Sequence, residues 1–595
     1  MKTINERLAA LRSRMNLHGL EAYIVPSSDP HQSEYFAERW QSRAWISGFS
    51  GSMGYVVVTP EHAGVWTDSR YFLQCETEIK NTEFALHKQG VQGAPEHLDW
   101  LLENVPLSKK IGCDGSLFSV EQIRGMKRVF AKKNIELVTN LDLFDAIWYD
   151  RPSLPTNEIF EHETRFSGQN RTQRIEAIRV KMREKKAQFN LISTLDDIGW
   201  TLNLRGSDVE CNPVFVAYLI VGLEKTHLFI DPKKVPDDLK LVLKNDNILI
   251  EKYENINHFL AQLVDNQTII IDADNANFQL FNNIIQAKII ESPTFSIAMK
   301  AIKNEVEIGH IRNVMVKDGV ALVKAFRWLE HALDERPVSE YELASMLAQF
   351  RSDQLGYFGE SFAAIVGYKS NGAIIHYRPM PETCAMIKKD GILLVDSGGQ
   401  YQDGTTDITR TITLGEPTDE EKTNFTLVLR GHIALAEVQF PAGTKGVQLD
   451  ILARIPLWKN GLNYGHGTGH GVGFFMNVHE PPQGIVPVLN ARGKTIHEVG
   501  MLTSNEPGFY KEGTYGIRIE NLILAKEAVK TDFGQFLNFE TVTLFPIDTR
   551  LVTPSVLGQE GTVWLNKYHE RVFEKLSPLL DTAETAWLKE KCRAI

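Results

Sequence analysis

Leu8, Leu11 and Met15 recur at helical spacing, and the apolar run 22–25 that follows has the length of a buried strand. Further on, Tyr55-Val56-Val57-Val58 and Gly64-Val65-Trp66 read as strands. Pro152 and Pro155, set among Ser153, Thr156 and Asn157, mark a boundary. Beyond it the same grammar returns: a charged helix over 171–186, a strand over 189–192, then Trp200, Gly206 and strand-like runs at 214–221 and 227–230. The order of Trp, Gly, paired strands and a following Asp already stands at Trp45, Gly51, Val56 and Asp68, which points to a diverged internal duplication. From about residue 301 the pattern changes. Ile308, Ile311, Met315, Leu322, Phe326 and Leu329 fall near one face of a long helix. Ser339, with Glu342 three residues on, predicts a second helix that opens on a capping box. After Phe362 strands and Gly-rich turns take over. Three domains are therefore expected, over 1–155, 156–300 and 301–595, mixing α/β and α+β architecture.

Length agrees with that division, since 595 residues exceed what one core can organise. The net charge of −11 argues against broad binding to nucleic acid or an anionic membrane, which needs a basic face. The five cysteines, Cys75, Cys113, Cys211, Cys384 and Cys592, form no Cys-x-x-Cys pair and read as reduced thiols. Lys2, Glu6, Arg12 and Arg14 break up the first twenty residues, so a signal peptide is not expected. No apolar run reaches the roughly 18–20 residues of a membrane span, and the expected location is the cytoplasm.

The candidate chemistry lies after residue 390. The apolar run 391–395 predicts a buried strand that ends in Asp396, and a carboxylate there is costly unless paired or bound to metal. Asp407 precedes the alternating Ile408-Thr409-Arg410-Thr411-Ile412-Thr413, and Asp403-Gly404 between them signals a hairpin that would bring the two carboxylates together. In Tyr464-Gly465-His466-Gly467-Thr468-Gly469-His470-Gly471-Val472-Gly473 two histidines stand four apart, but the interleaved glycines disfavour a helix. They suit close backbone approach beside a bound group, and His479 follows. Glu506 and Glu520 are equidistant from Gly513 in a turn-rich stretch, so a hairpin would make them cross-strand neighbours, with Arg518 on the face of Glu520. Four carboxylates and one imidazole balance two divalent cations, and the oxygen-rich set favours manganese, with zinc or cobalt as alternatives. His-Glu-x-x-His and Gly-x-Ser-x-Gly are absent, and Arg492-Gly493-Lys494-Thr495 fails as a phosphate loop because Val488 stands where the first glycine is needed.

The stretches Val395-Asp396-Ser397-Gly398, Asp403-Gly404-Thr405-Thr406-Asp407-Ile408-Thr409-Arg410, Gly467-Thr468-Gly469-His470-Gly471-Val472-Gly473, Asn505-Glu506-Pro507-Gly508 and Arg518-Ile519-Glu520-Asn521 resemble those of the pita-bread metallopeptidases, in particular the three-domain Xaa-Pro aminopeptidases. The resemblance covers nearly the whole chain. It implies two creatinase-type N-terminal domains followed by a pita-bread catalytic domain, and a homodimer. It implies that Asp396 binds one metal, that Asp407 and Glu520 bridge both, and that His470 and Glu506 complete the other. It makes His376, in the strand-like setting Ile374-Ile375-His376-Tyr377, together with His466, His479, Glu506 and Arg518 catalytic candidates, with Arg70, His376 and His479 as substrate contacts. Arg70 has an alternative reading as the ion-pair partner of Asp68.

The implied reaction is hydrolysis of the first peptide bond of a peptide with proline second, by a hydroxide held between two divalent metals. Glu506 would carry the proton to the leaving nitrogen, while His376 and His479 would stabilise the intermediate. The proline preference rests on the resemblance alone. The alternatives are a prolidase that cuts only dipeptides and a non-catalytic peptide-binding module on the same fold.

Overall fold

The computed structural model describes residues 3–595, so Met1 and Lys2 of the N-terminal charge pattern lie outside the described residues. The chain forms two compact units: the residues up to His162 with Gln169–Ser296, and Glu163–Gly168 with Ile297–Ile595.

The first unit holds two sheets of six strands. Ala22–Pro26, Tyr55–Val58, Ala63–Thr67, Phe84–Lys88, Lys110–Cys113 and Glu136–Val138 lie side by side in the order fourth, third, second, first, fifth, sixth. Phe189–Ile192, Tyr218–Gly222, Thr226–Phe229, Ile248–Glu251, Thr268–Ile271 and Lys288–Glu291 repeat that order. The senses also match. In each sheet the first three strands are antiparallel neighbours and the other three pairings are parallel. Each first strand follows a capped helix. Thr3 and Glu6 close a capping box on Ile4–Leu17, and Asn170 and Gln173 do so on Arg171–Glu184. The duplication suggested by the spacing of Trp, Gly and Asp is thus present as repeated topology. A buried polar seam joins the two sheets' modules: His31 binds the Ser193 carbonyl at 2.8 Å and the Tyr253 hydroxyl at 3.0 Å, and Asn277 donates to the Pro30 carbonyl at 2.7 Å.

The second unit opens on the 31-residue helix Glu305–Glu335, capped by Asn304 and Glu307. The six apolar positions expected on its inner face are all buried. In the next helix, Glu340–Ser352, the Ser339 hydroxyl accepts from the Glu342 amide at 3.0 Å as expected of a cap. The Glu342 carboxylate does not close the box, because it turns to Arg336 in a bidentate pair at 2.6 and 2.9 Å. Beyond these helices Ile392–Ser397 lies between Ile365–Tyr368 and Ile408–Thr413. A six-stranded sheet runs through Phe440–Pro441, Gly534–Thr541, Asn521–Thr531, Leu502–Asn505, Gly469–Gly471 and Glu480–Ile485. The helices Asp419–Ala436, Gly446–Trp458 and Pro554–Leu576 pack around these strands, and one large apolar cluster includes Phe425, Ile433, Leu457, Ile517 and Leu565. Among the described residues no helix is long and apolar enough to cross a membrane, and the five cysteines are free thiols.

His497 is buried in this unit against the edge of Phe539, and neither ring nitrogen has a hydrogen-bond partner. Burial pushes its pKa down to about 4. Between that value and the ordinary histidine value the unfolded chain binds the extra proton, so stability rises with pH across this window and falls as pH drops through it. His497→Leu is expected to flatten that dependence. Thermal melting at pH 7.5 and pH 5 should show a smaller loss in the variant; an equal loss in both proteins would assign the acid sensitivity elsewhere.

Candidate metal centre

Two nested pairings build the first arm of the site. Ile392–Ser397 pairs with Ile408–Thr413 so that Asp396 faces Thr409, and Tyr401 pairs with Gly404 around a turn of Gln402 and Asp403. The hairpin expected here exists, with its turn one residue earlier than the Asp-Gly pattern suggests. Asp403 is not a solvated turn residue; it is buried and bound by Lys317 at 2.8 Å and Asn313 at 2.7 Å. Because Asp407 lies two residues from the partner of Asp396, both carboxylates emerge on one face.

The Gly-rich stretch forms a short strand, Gly469–Gly471, between Glu480–Ile485 and Leu502–Asn505. Its glycines are required by contact. A Cβ on Gly469 would fall 1.9 Å from the Ser504 carbonyl oxygen, and one on Gly471 2.2 Å from that of Glu480. His470 between them donates from Nδ1 to the Gly471 carbonyl at 3.0 Å. That turns Nε2 toward the carboxylates, 3.5 Å from Asp407 Oδ2 and 3.3 Å from Glu506 Oε1. Behind the strand, Arg454 pairs with buried Asp450 at 2.6 Å and donates to the carbonyls of Tyr464 and His466 at 2.8 and 2.7 Å. Asp450 also accepts from the Thr468 hydroxyl at 2.7 Å, so the loop is fixed from its far side.

The glutamates come from the second hairpin. Gly508–Lys511 pairs with Tyr515–Arg518, Gly508 facing Arg518, and on the other side Asn505 faces Asn521. Both registers centre on Gly513, so Glu506 and Glu520 lie across from each other. Ser504 donates to Glu506 Oε1 at 3.0 Å and Thr409 to Glu520 Oε2 at 2.8 Å. Arg410, deeply buried, donates to the carbonyls of Glu520, Phe545 and Pro546 at 2.6, 2.7 and 2.9 Å and to Asn521 Oδ1 at 2.8 Å. It welds the two hairpins together at the site.

Burial raises the Asp407 carboxyl well above the usual carboxylate range, and Asp396 and Glu506 add to it. Burial likewise raises Glu520, with Asp407 as the next cause, and Glu506 is raised by burial too. Buried oxygens Asp396 Oδ1 and Glu520 Oε1 have no hydrogen-bond partner. One ligand atom each from Asp407, His470 and Glu520 lies within 4.8 Å of the others. Orphaned carboxylate oxygens with an imidazole nitrogen turned toward them are what hard or borderline divalent cations require, and the residues fit a metal centre.

The other expected residues divide by position. Arg518 donates to Asp396 Oδ2 at 2.6 Å and to the Tyr510 hydroxyl at 2.7 Å. Tyr510, pushed up to about 12 by burial and so protonated, donates to His466 Nε2 at 2.8 Å, and His466 Nδ1 donates to the Gly467 carbonyl at 2.8 Å. Both His466 nitrogens are therefore engaged within the protein. His479 packs edge-on against His470, ring centroids 4.2 Å apart. His376 does not lie in the strand its neighbours suggest; it sits in a turn after the short helix Lys369–Ala373, where Gly372 abuts Gly516. The preceding carbonyl, of Ile375, is 3.5 Å from Arg518 Nη2, which puts the turn beside the centre. Arg70 belongs to the first unit and forms a bidentate pair with Asp68 at 2.8 and 2.7 Å. Tyr510, Arg410 and Arg454 were not among the expected site residues. Arg410 carries a signal, its place at the end of the stretch Asp403–Arg410 that bears the resemblance.

Comparison with known proteins agrees with this geometry. Residues 7–147 and 150–307 each match the creatinase/prolidase N-terminal domain. Residues 309–527 match metallopeptidase family M24, and 535–595 match the C-terminal region of that peptidase. The chain is 43% identical over 608 residues to a probable Xaa-Pro aminopeptidase P of Laccaria bicolor, covering 99% of this chain and 94% of that one. Aminopeptidase P2 of Arabidopsis thaliana is 40% identical, covering 100% and 89%. Among solved structures, X-prolyl aminopeptidase of Caenorhabditis elegans, described as a cytosolic enzyme with a di-nuclear active site, superposes with a TM-score of 0.95 at 34% identity over the full length of both chains.

Crowded carboxylates should cost the metal-free protein stability. With carboxyl pKa values raised by folding, the native state binds more protons above the ordinary carboxylate range, so stability of the metal-free protein falls as pH rises. Asp407→Asn removes one of these charges. The metal-free variant is expected to melt a few degrees above the metal-free wild type, by a margin that grows from pH 6 to pH 8.5, and to gain less on adding metal. Scanning fluorimetry with and without metal measures this; a metal-free variant that melts below wild type would show that the carboxylates are not in conflict.

Proposed function

As the chain belongs to metallopeptidase family M24, with two creatinase/prolidase-type domains preceding the peptidase domain, we propose that it is an Xaa-Pro aminopeptidase, a metal-dependent hydrolase that removes the first residue of peptides with proline in the second position. The observation that carries this reading is the convergence of Asp396, Asp407, His470, Glu506 and Glu520 with two orphaned carboxylate oxygens among them. The family and the di-nuclear relative imply two divalent metals. Asp396 would hold one, His470 and Glu506 would hold the other, and Asp407 and Glu520 would contribute to both. Manganese suits this oxygen-rich set, with zinc and cobalt as alternatives. Bound there, the cations supply the charge that polarises the scissile carbonyl and lowers the pKa of water.

The chain's own groups do the rest. Glu506, its affinity for protons raised by burial, takes the proton of the attacking water and delivers it to the leaving nitrogen. His376 and His479 donate hydrogen bonds to the oxygen that gains charge. Arg518 holds Asp396 in place through its 2.6 Å contact. His466, bound at both nitrogens, orients Tyr510 and through it Arg518. The proline ring has no N–H, so a site that accepts it must offer no acceptor waiting for an amide proton.

The location proposed is the cytoplasm, in keeping with the cytosolic relative. The proposed assembly is a homodimer. Ile451, Ile455 and Trp458 present a stripe along one face of the helix Gly446–Trp458 and are 43%, 36% and 48% exposed. Such a stripe suits a self-complementary contact. Ile455→Lys should halve the mass measured by light scattering; an unchanged mass would place the contact elsewhere or leave the chain monomeric.

The enzymatic reading is tested with the chelated protein and a series of Xaa-Pro peptides. Chelation should abolish release of the first residue, manganese should restore it, and His470→Ala should lower kcat/KM by at least 100-fold. Cleavage confined to Xaa-Pro dipeptides would favour a prolidase, and tight peptide binding without turnover would favour a binding module.

A further inference from the structure

His432 lies on the helix Asp419–Ala436, fully buried, and touches none of the five proposed ligands. Its Nδ1 is 3.1 Å from the Asn505 carbonyl oxygen and its Nε2 is 3.0 Å from the Asn521 side-chain nitrogen. Its own carbonyl accepts from Asn505 Nδ2 at 2.9 Å. Asn505 and Asn521 face each other in register, and each is the immediate neighbour of a glutamate ligand, Glu506 or Glu520. The amide of Asn521 has only one orientation, because its Oδ1 receives Arg410 at 2.8 Å and the Tyr568 hydroxyl at 3.3 Å. Its nitrogen must then donate to His432 Nε2, so the ring is the neutral Nδ1–H tautomer, donating on one side and accepting on the other. Trp564 closes the pocket edge-on, ring centroids 5.9 Å apart.

We propose that His432 is a positioning residue for the metal centre, a neutral imidazole that bolts the Glu506-bearing and Glu520-bearing strands to each other and to the helix behind them. This rests on the reading of Glu506 and Glu520 as ligands. A glutamate reaches its metal from a backbone that must be placed to within about half an ångström. Asn505 and Asn521 end the ladder between the two strands, and beyond them the chains diverge to carry the carboxylates. At that point the ring supplies one donor and one acceptor, the only pattern that satisfies a backbone carbonyl and an amide N–H at once. An apolar side chain of similar size would leave the buried Asn521 amide N–H without its acceptor and take one donor from the Asn505 carbonyl.

The test compares wild type with His432→Leu, His432→Asn, His432→Gln and His569→Leu. His569 is a second buried histidine of the same unit, bound to the Ile547 amide at 3.0 Å, and serves as a control for general destabilisation. Manganese affinity of the metal-free proteins is measured by competition with a chromogenic chelator, together with melting temperature and with kcat and KM at saturating manganese. His432→Leu is expected to bind manganese about 10- to 100-fold more weakly, with KM near wild type. His432→Asn, which can still donate to Asn505, should recover part of that affinity. His569→Leu should lower the melting temperature and leave the affinity alone. Wild-type affinity in His432→Leu, or an equal loss in His569→Leu, would overturn the proposal. Should His432→Leu not fold, wild-type affinity in both the Asn and Gln variants would overturn it. A wild-type protein that binds no manganese would instead sink the ligand reading itself.

Discussion

Repulsion among four carboxylates in one buried pocket is the term around which the second unit is arranged. Each charge alone would be costly to bury, and burial together with the neighbouring charges raises the proton affinity of Asp407, Glu506 and Glu520. The chain holds them there with a set of donors. Arg518 sits against Asp396, Thr409 and Ser504 donate to the two glutamates, and Arg410 grips the backbone from which Glu520 projects. Hairpin register then decides which oxygens remain without a partner. The same arrangement that makes the metal-free site unfavourable suits divalent cations, whose charge offsets the repulsion.

The convergence of the five proposed ligand residues was legible in the sequence because backbone chemistry flags them. Asp396 ends a buried apolar run, His470 is boxed by glycines, and Glu506 and Glu520 stand at equal distance from a turn. The period-two and turn rules act over a few residues, and there they suffice. They fail where a residue's partner is distant in sequence. Asp403 reads as a turn residue until Lys317 and Asn313 arrive from the long helix. The Ile408–Thr413 alternation suggests a strand with one wet face, yet all six residues are buried because Arg410 finds its acceptors at residues 520–546. His376 was expected in a strand from its apolar neighbours, whereas the close approach of Gly372 to Gly516 bends that segment into a turn.

The first unit shows the opposite balance. Local pattern finds the first three strands of each sheet, though not the three parallel ones that follow, and the recurrence of Trp, Gly and Asp suggests that the unit is built twice. What could not be read is the seam, where His31 and Asn277 bind groups more than 150 residues away. Such a joint depends on complementary polar groups and leaves no periodic trace in either partner.

Two sheets of identical strand order in one chain create a hazard during folding, because each strand has a second, topologically equivalent place to go. Exchange of equivalent elements is a characteristic failure of chains with repeated architecture. The protection lies in how far the copies have diverged inside. The central strand of the first sheet is apolar, with Tyr23 at its heart, while that of the second carries the fully buried Asn190 beside Leu191 and Ile192. A strand that strayed into its twin's slot would strand an amide in a space shaped for a phenol. The sequence drift that hides the duplication thus also serves as the code by which each half of the unit recognises its own strands.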